Sequence, residues 1–160
     1  MNKLALMLCC SLVLSLAAAE PPRPAAFQIR LVLDTASADT EQLTLAHQNV
    51  PGGKVVEDRL NVQKTPLLDR SAVKTASVQK SRASGAPEIQ IVFTDRGAAR
   101  FAEVTKQHVG KRLAIVIDGK VYSAPRVISE ITGGRAVISG SFNEEGAAQL
   151  ASRLTEGGAQ

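Results

Sequence analysis

Two imidazoles are the first place to look for chemistry. His47 and His108 are the only histidines in 160 residues, and neither has a second ligand or an acidic partner at metal-binding or general-base spacing. His108 ends an expected helix, where a cation is favoured by the helix dipole. Both cysteines, Cys9 and Cys10, lie in the apolar N-terminal stretch, so the rest of the chain offers no thiolate as nucleophile or ligand and no disulfide. Ser123, Ser139 and Ser141 sit among small residues without a G-x-S-x-G elbow. Glu144-Glu145 reads as the first turn of a helix, not as carboxylates flanking a cleft. Gly133-Gly134-Arg135 has the composition of an anion loop, yet no helix start follows it, and a hairpin turn is expected. No catalytic residue, metal ligand or cofactor site is therefore expected.

The segment from Arg70 to Arg82 offers binding chemistry instead. It carries Arg70, Lys74, Lys80 and Arg82 with no acid after Asp69. It is polar on both faces, as in an edge strand guarded against aggregation by charge. Such an edge also pairs with an extended polypeptide through sequence-tolerant backbone bonds. Arg70, Lys74, Val78, Lys80 and Arg82 are thus the candidate polypeptide-binding residues.

Composition narrows the partners. Lys and Arg total 19 against 15 Asp and Glu, with no Trp and one Tyr. That charge is ordinary solubility, and stacking platforms are nearly absent, so nucleic acid is not expected as a partner. Lys3, the apolar run Leu4 to Leu16 and Ala17-Ala18-Ala19 have the layout of a signal peptide over residues 1–19. An exported, periplasmic chain is expected, with no transmembrane segment in its mature part. Residues 20–26 (EPPRPAA) form a proline-rich linker. One domain is expected over residues 27–158.

The elements that must position any site follow from pattern. Phe27 to Leu33 alternates as a strand. Glu41 to His47 is ambiguous, and Pro51-Gly52-Gly53 is a turn. Leu60 to Lys64 is a short strand. Asp69 caps one helical turn, Arg70 to Ala72, ahead of a strand from Val73 to Arg82. A strand from Glu88 to Phe93 leads into a helix capped by Thr94 or Asp95. Leu113 to Ile117 is an unbroken apolar run, as in a strand covered on both faces. Asp118-Gly119 is a two-residue hairpin turn. Pro125, which has no N–H, must fall at an edge or bulge. After a strand from Arg135 to Gly140, Asn143 caps a last helix whose inner face is Ala147, Leu150, Ala151 and Leu154. FTDRGAARFA (Phe93 to Ala102) and FNEEGAAQLA (Phe142 to Ala151) form a quasi-repeat of strand end, cap and helix start. The expected fold is α+β: a mainly antiparallel sheet with two principal helices packed on one face, in a ferredoxin-like or related split βαβ arrangement.

GKRLAIVIDGKVYSAP (Gly110 to Pro125), ITGGRAVISGSF (Ile131 to Phe142) and the helix ending LASRLTEGG closely resemble the head subdomain of the first periplasmic domain of SecD. FTDRGAARFAEVTKQHVGK shares the likeness, and LNVQKTPLLDRSAV does so more weakly. The likeness covers roughly residues 60–158. Its motif residues here are Asp118, Gly119, Ser123, Ala124, Pro125, Gly133, Gly134 and Gly140. The resemblance implies the head fold and a binding role toward protein: translocating or unfolded polypeptide, or components of the Sec translocon. In that family the subdomain leads into a transmembrane helix, whereas nothing apolar follows Leu154 up to Gln160. A free-standing, non-catalytic exported version is therefore expected, and energised transport is not. Gly146 stands where the family usually has Glu, which removes a reciprocal capping contact. An envelope regulatory or ligand-binding domain that reuses the scaffold is the alternative.

Overall fold

The computed structural model describes residues 25–48 and 55–156. The expected leader and the Pro51-Gly52-Gly53 turn lie outside the described residues. Nine strands, two helices and one short 3-10 turn are described: β1 (Phe27–Leu33), β2 (Thr40–Gln48), β3 (Val55–Gln63), β4 (Leu68–Asp69), the turn Arg70–Ala72, β5 (Val73–Lys80), β6 (Pro87–Phe93), α1 (Asp95–Gln107), β7 (Arg112–Ile117), β8 (Lys120–Ser123), β9 (Arg135–Ile138) and α2 (Glu144–Thr155).

The strands form two sheets. The larger runs β3-β2-β8-β7-β1-β4, and β3 pairs back with β1 through Val32–Val62 and Leu33–Asn61. Strands β1, β3, β2, β8 and β7 thereby close into a five-stranded ring. One seam of that ring, β2 against β8, is parallel and pairs Leu45 with Val121. The smaller sheet runs β5-β6-β9.

This corrects the expected architecture. A single sheet with two helices on one face is not what forms, and the arrangement is not ferredoxin-like. The physical reason lies in β2 and β3. Glu41, Gln42 and Thr44 on one strand and Glu57, Asp58 and Arg59 on the other dilute the apolar period, and tertiary pairing overrides weak local preference. Once these two long strands pair over their whole length, the larger sheet has enough strands to curl onto itself.

Strand β7 shows why the ring and the second sheet share one molecule. Leu113, Ile115 and Ile117 enter a core with Phe27, Ile29, Ile89, Ile91, Phe101 and Leu154. Ala114 and Val116 enter a second, smaller core inside the ring with Leu45, Leu60, Val62 and Val121. Both faces of β7 are buried, as its unbroken apolar run required. Each large side chain sequestered this way contributes roughly 1.5–3 kcal/mol.

Local signals end the elements where chemistry predicts. Asp118 and Gly119 have φ of 51° and 78°, the left-handed pair that a two-residue hairpin needs. The Thr94 hydroxyl accepts the Gly97 N–H at 3.0 Å, and Asn143 Oδ1 accepts the Gly146 N–H at 2.7 Å, so both halves of the quasi-repeat carry working N-caps. Helix α2 buries Ala147, Leu150, Ala151 and Leu154 as its period predicts. Helix α1 buries Gly97, Phe101, Val104 and Thr105.

Candidate functional site

The basic segment does not converge on one site. Strand β5 lies at the edge of the smaller sheet, as its charge predicted. Lys74, Val78 and Lys80 lie on it, but the strand ends at Lys80, so Arg82 falls in the following turn. Arg70 turns inward: its Nη1 donates to the Val73 carbonyl at 3.1 Å, while Nε and Nη2 are buried without a partner. Burial pulls its pKa below the ordinary arginine value. The outward edge is also partly occupied. The Thr155 hydroxyl of α2 accepts the Ala76 N–H at 3.0 Å and lies 3.2 Å from the Ala76 carbonyl. Lys80 faces Glu144 at 3.4 Å. Alternation along an antiparallel strand then aims the backbone groups of Val78 and Lys80 outward, two and four positions beyond Ala76.

The motif turns hold the frame. Asp118 binds three groups: its Oδ1 accepts the Ala26 N–H at 2.9 Å, its Oδ2 accepts Arg153 Nη2 at 2.7 Å, and its own N–H donates to the Ala26 carbonyl at 3.1 Å. Burial raises the carboxyl's pKa, but the Ala26 hydrogen bond and the bond and charge of Arg153 outweigh it, so the net shift is downward. Ser123 pairs with Ile115 across an irregularity that leaves Tyr122 as the extra residue. The Ala124 carbonyl accepts Arg112 Nε at 3.0 Å, and the Pro125 carbonyl accepts the Leu113 N–H at 3.0 Å. Pro125 thus joins the ladder as an acceptor only, which suits a residue without an N–H. Gly133 and Gly134 turn the chain into β9, and the Gly134 carbonyl accepts the Phe93 N–H at 2.9 Å. Gly140 lies against the ring of Phe142.

His108 ends α1 in a bonded position. The His108 N–H and Nδ1 lie 3.1 and 2.8 Å from the Val104 carbonyl, at the C-cap of α1. A carbonyl only accepts, so Nδ1 carries the proton there. Among the described residues no group of three or more His, Cys, Asp or Glu is placed to hold a metal ion.

The feature that local sequence did not reveal is an apolar cleft of about 350 Å³. Its floor is Ile29, Leu113 and Ile115, one wall is Phe101 and Thr105 of α1, and the other is the segment from Pro125 to Ile131 with the start of β9. Several contacts hold that segment in place, two of them at Ile131 and Val127. The buried Thr105 hydroxyl accepts the Ile131 N–H at 2.9 Å while lying 2.9 Å from the Phe101 carbonyl. The Val127 N–H donates to the Lys111 carbonyl at 2.8 Å. Val127 is buried, but Ile128 beside it is 87% exposed, and Ile131 and Val137 are exposed at the rim. Isolated apolar residues on a surface need no explanation, whereas three around an apolar cleft are a feature of binding sites. The signal was present as Val127-Ile128 and Ile131, but nothing in the local sequence says that the chain leaves the sheet after its bridge at Arg126.

A closed five-stranded ring with its own small core, and a three-stranded sheet and two capped helices around a larger core, define a small, mainly β domain with an open cleft suited to apolar side chains. The chain belongs to the SecDF P1 head subdomain family, which residues 44–159 match. It is similar to the protein translocase subunit SecD of Sebaldella termitidis, with 50% identity over 91 residues, 57% of this chain and 22% of that protein. The SecD subunit of Calditerrivibrio nitroreducens is 34% identical over 145 residues, 81% of this chain and 28% of the relative. The chain thus spans well under a third of the curated relatives it matches. A crystal structure of SecDF in a super-membrane-facing form superimposes with a TM-score of 0.65 at 31% identity, covering 86% of this chain and 19% of that one. A second, described as a membrane component SecDF that enhances protein export, gives 0.63 at 30% identity, covering 86% and 64%. No helix among the described residues is long and apolar enough to cross a membrane.

Proposed function

We propose that this domain is a non-catalytic module of protein export that contacts unfolded or translocating polypeptide on the periplasmic side of the envelope. The observation that carries the reading is the apolar cleft between α1 and the Pro125–Ile131 segment, with Ile128 exposed at its rim. An unfolded chain presents the aliphatic and aromatic side chains that a folded one hides, and such side chains gain free energy on leaving water for an apolar wall. Kinship to translocase subunits supports the setting, and the leader-like first 19 residues support export. A direct test replaces Ile128 with a photo-crosslinking amino acid in intact cells. Adducts identified as translocon subunits or as proteins in transit are expected. Adducts confined to an unrelated envelope protein would favour a regulatory or ligand-binding role instead.

A second contact, by strand addition at β5, is favoured by the outward backbone groups of Val78 and Lys80. Lys74 and Arg82 flank that stretch, and Thr155 closes it at Ala76. The pairing window is short, so this contact supplements the cleft and does not replace it.

A further inference from the structure

The apolar cleft also carries charge of one sign. Its only charged lining residues are Arg126 and Arg135. Both are exposed and no acid lines the cleft, although Glu130 is exposed in the same segment. Arg126 is fixed: its Nη1 donates to the Gly110 carbonyl, and its backbone bridges to Arg112. Donation to a neutral carbonyl holds the guanidinium in place without cancelling its charge. Arg135 opens β9, opposite Val92, and its exposed side chain makes no ion pair with any described residue. The two arginines enter from different elements, Arg126 from the wall segment and Arg135 from β9.

We infer that the cleft selects polypeptide segments in which an aliphatic or aromatic anchor is flanked by acidic residues. This rests on the cleft being the polypeptide-binding site. An anchor seated on Ile29, Leu113 and Ile115 carries its neighbours outward past the rim, where both guanidiniums stand. Acidic neighbours meet two fixed or nearby cations beside a low-dielectric wall; basic neighbours meet the same cations as repulsion. The volume lies at the small end for ligand sites, which limits the occupant to one large anchor or two small ones. Arginine forks match carboxylates in geometry as well as sign. Selection in this direction also rejects segments dense in lysine, so the charge acts as a filter on which unfolded chains dwell there.

The test uses the full chain purified from the cell envelope and two fluorescein-labelled peptides. Each peptide has a central Leu-Phe-Leu anchor, flanked on both sides by glutamates in one and by lysines in the other. Fluorescence anisotropy is expected to show the glutamate peptide binding roughly tenfold more tightly at low salt, with the gap narrowing as salt rises. The Arg135→Glu variant, altered at an exposed position, is expected to erase or invert that preference, while Ile128→Asp weakens both peptides together. Equal binding of the two peptides, or a preference that survives in folded Arg135→Glu, overturns the inference and leaves the cleft reading intact. Failure of both peptides to bind removes the cleft reading and this inference with it.

Discussion

The carboxylate of Asp118 and the guanidinium of Arg153 meet at 2.7 Å, joining a hairpin turn to the last turn of α2. The same carboxylate holds the Ala26 N–H, and the Arg153 carbonyl accepts the Ala25 N–H at 3.2 Å. The residue that makes the tight turn therefore also fixes the entry of the chain into β1. Asp118-Gly119 reads locally as a turn signal; its longer reach appears only when residues 25, 118 and 153 come together.

The pH dependence of stability follows with a definite sign. The folded pKa of Asp118 is lowered, so its contribution is present above the unfolded carboxylate pKa of about 3.9 and is lost as pH falls through the folded value. Asp118→Asn isolates the charge, because Asn-Gly also forms this turn. With Asp118 44% exposed, the variant is expected to lose only about 0.2–1 kcal/mol at pH 7. Urea titrations should show the difference from wild type shrinking below about pH 4. A gap that stays constant down to pH 2 would assign the effect to something other than the carboxylate's charge.

Gly97 is expected to resist even the smallest side chain. A β-carbon there would stand 2.3 Å from the Ala72 carbonyl oxygen, the atom that also accepts the Thr94 N–H at 2.9 Å. Alanine normally stabilises a helix interior by about 1 kcal/mol over glycine. Here the clash is with backbone on both sides and has no flexible end to yield, so Gly97→Ala is expected to destabilise by about 1–3 kcal/mol. Thermal or urea unfolding measures it, and a stabilised Gly97→Ala would show that α1 and the 3-10 turn slide apart at little cost.

Local turn, cap and periodicity signals show where sequence sufficed. Asp118-Gly119, the caps Asp69, Thr94 and Asn143, the double-faced Leu113 to Ile117 and the inner face of α2 are each set by chemistry within a few residues of chain, and all of them form. The ring was not legible, because its closure depends on Val32 meeting Val62 and on Leu45 meeting Val121, pairings between segments whose polar residues hide their period. The cleft was not legible either. Ile29, Phe101 and Ile128 have no local relation, and they share a site only because β1, α1 and the segment after β8 pack around one core. The charged edge of β5 was legible as an edge, but not its partial cover by Thr155, which comes from 79 residues away.

Strand addition at β5 makes a separate prediction. Val78 pairs with Ile89 at a position whose own N–H faces away from β6. Val78→Pro removes an outward donor and no bond of the β5–β6 ladder, although proline's fixed φ strains an extended strand. Capture of an unfolded polypeptide on the immobilised domain should fall, with far-UV circular dichroism confirming that the variant folds. Lys80→Pro, opposite Pro87, should act the same way. Undiminished capture by both folded variants would leave the β5 edge as charge protection only.

The wall of the cleft depends on one buried hydroxyl. Thr105 is fully buried, and its Oγ1 is the acceptor for the Ile131 N–H at 2.9 Å. Thr105→Val keeps the shape and removes the acceptor, leaving that N–H without its partner at a cost of about 1–3 kcal/mol. Thr105→Ser keeps the acceptor, loses only a methyl group and should recover most of the hydrogen-bond contribution. The comparison therefore separates polar satisfaction from packing. Loosening the Pro125–Ile131 segment should also weaken apolar peptide binding in Thr105→Val at temperatures where the domain is still folded. Valine and wild type with the same urea midpoint and the same peptide affinity would mean that water replaces the hydroxyl and that the segment's position is set by the burial of Val127 and by the backbone bonds that join Pro125 and Val127 to Gly110, Lys111 and Leu113.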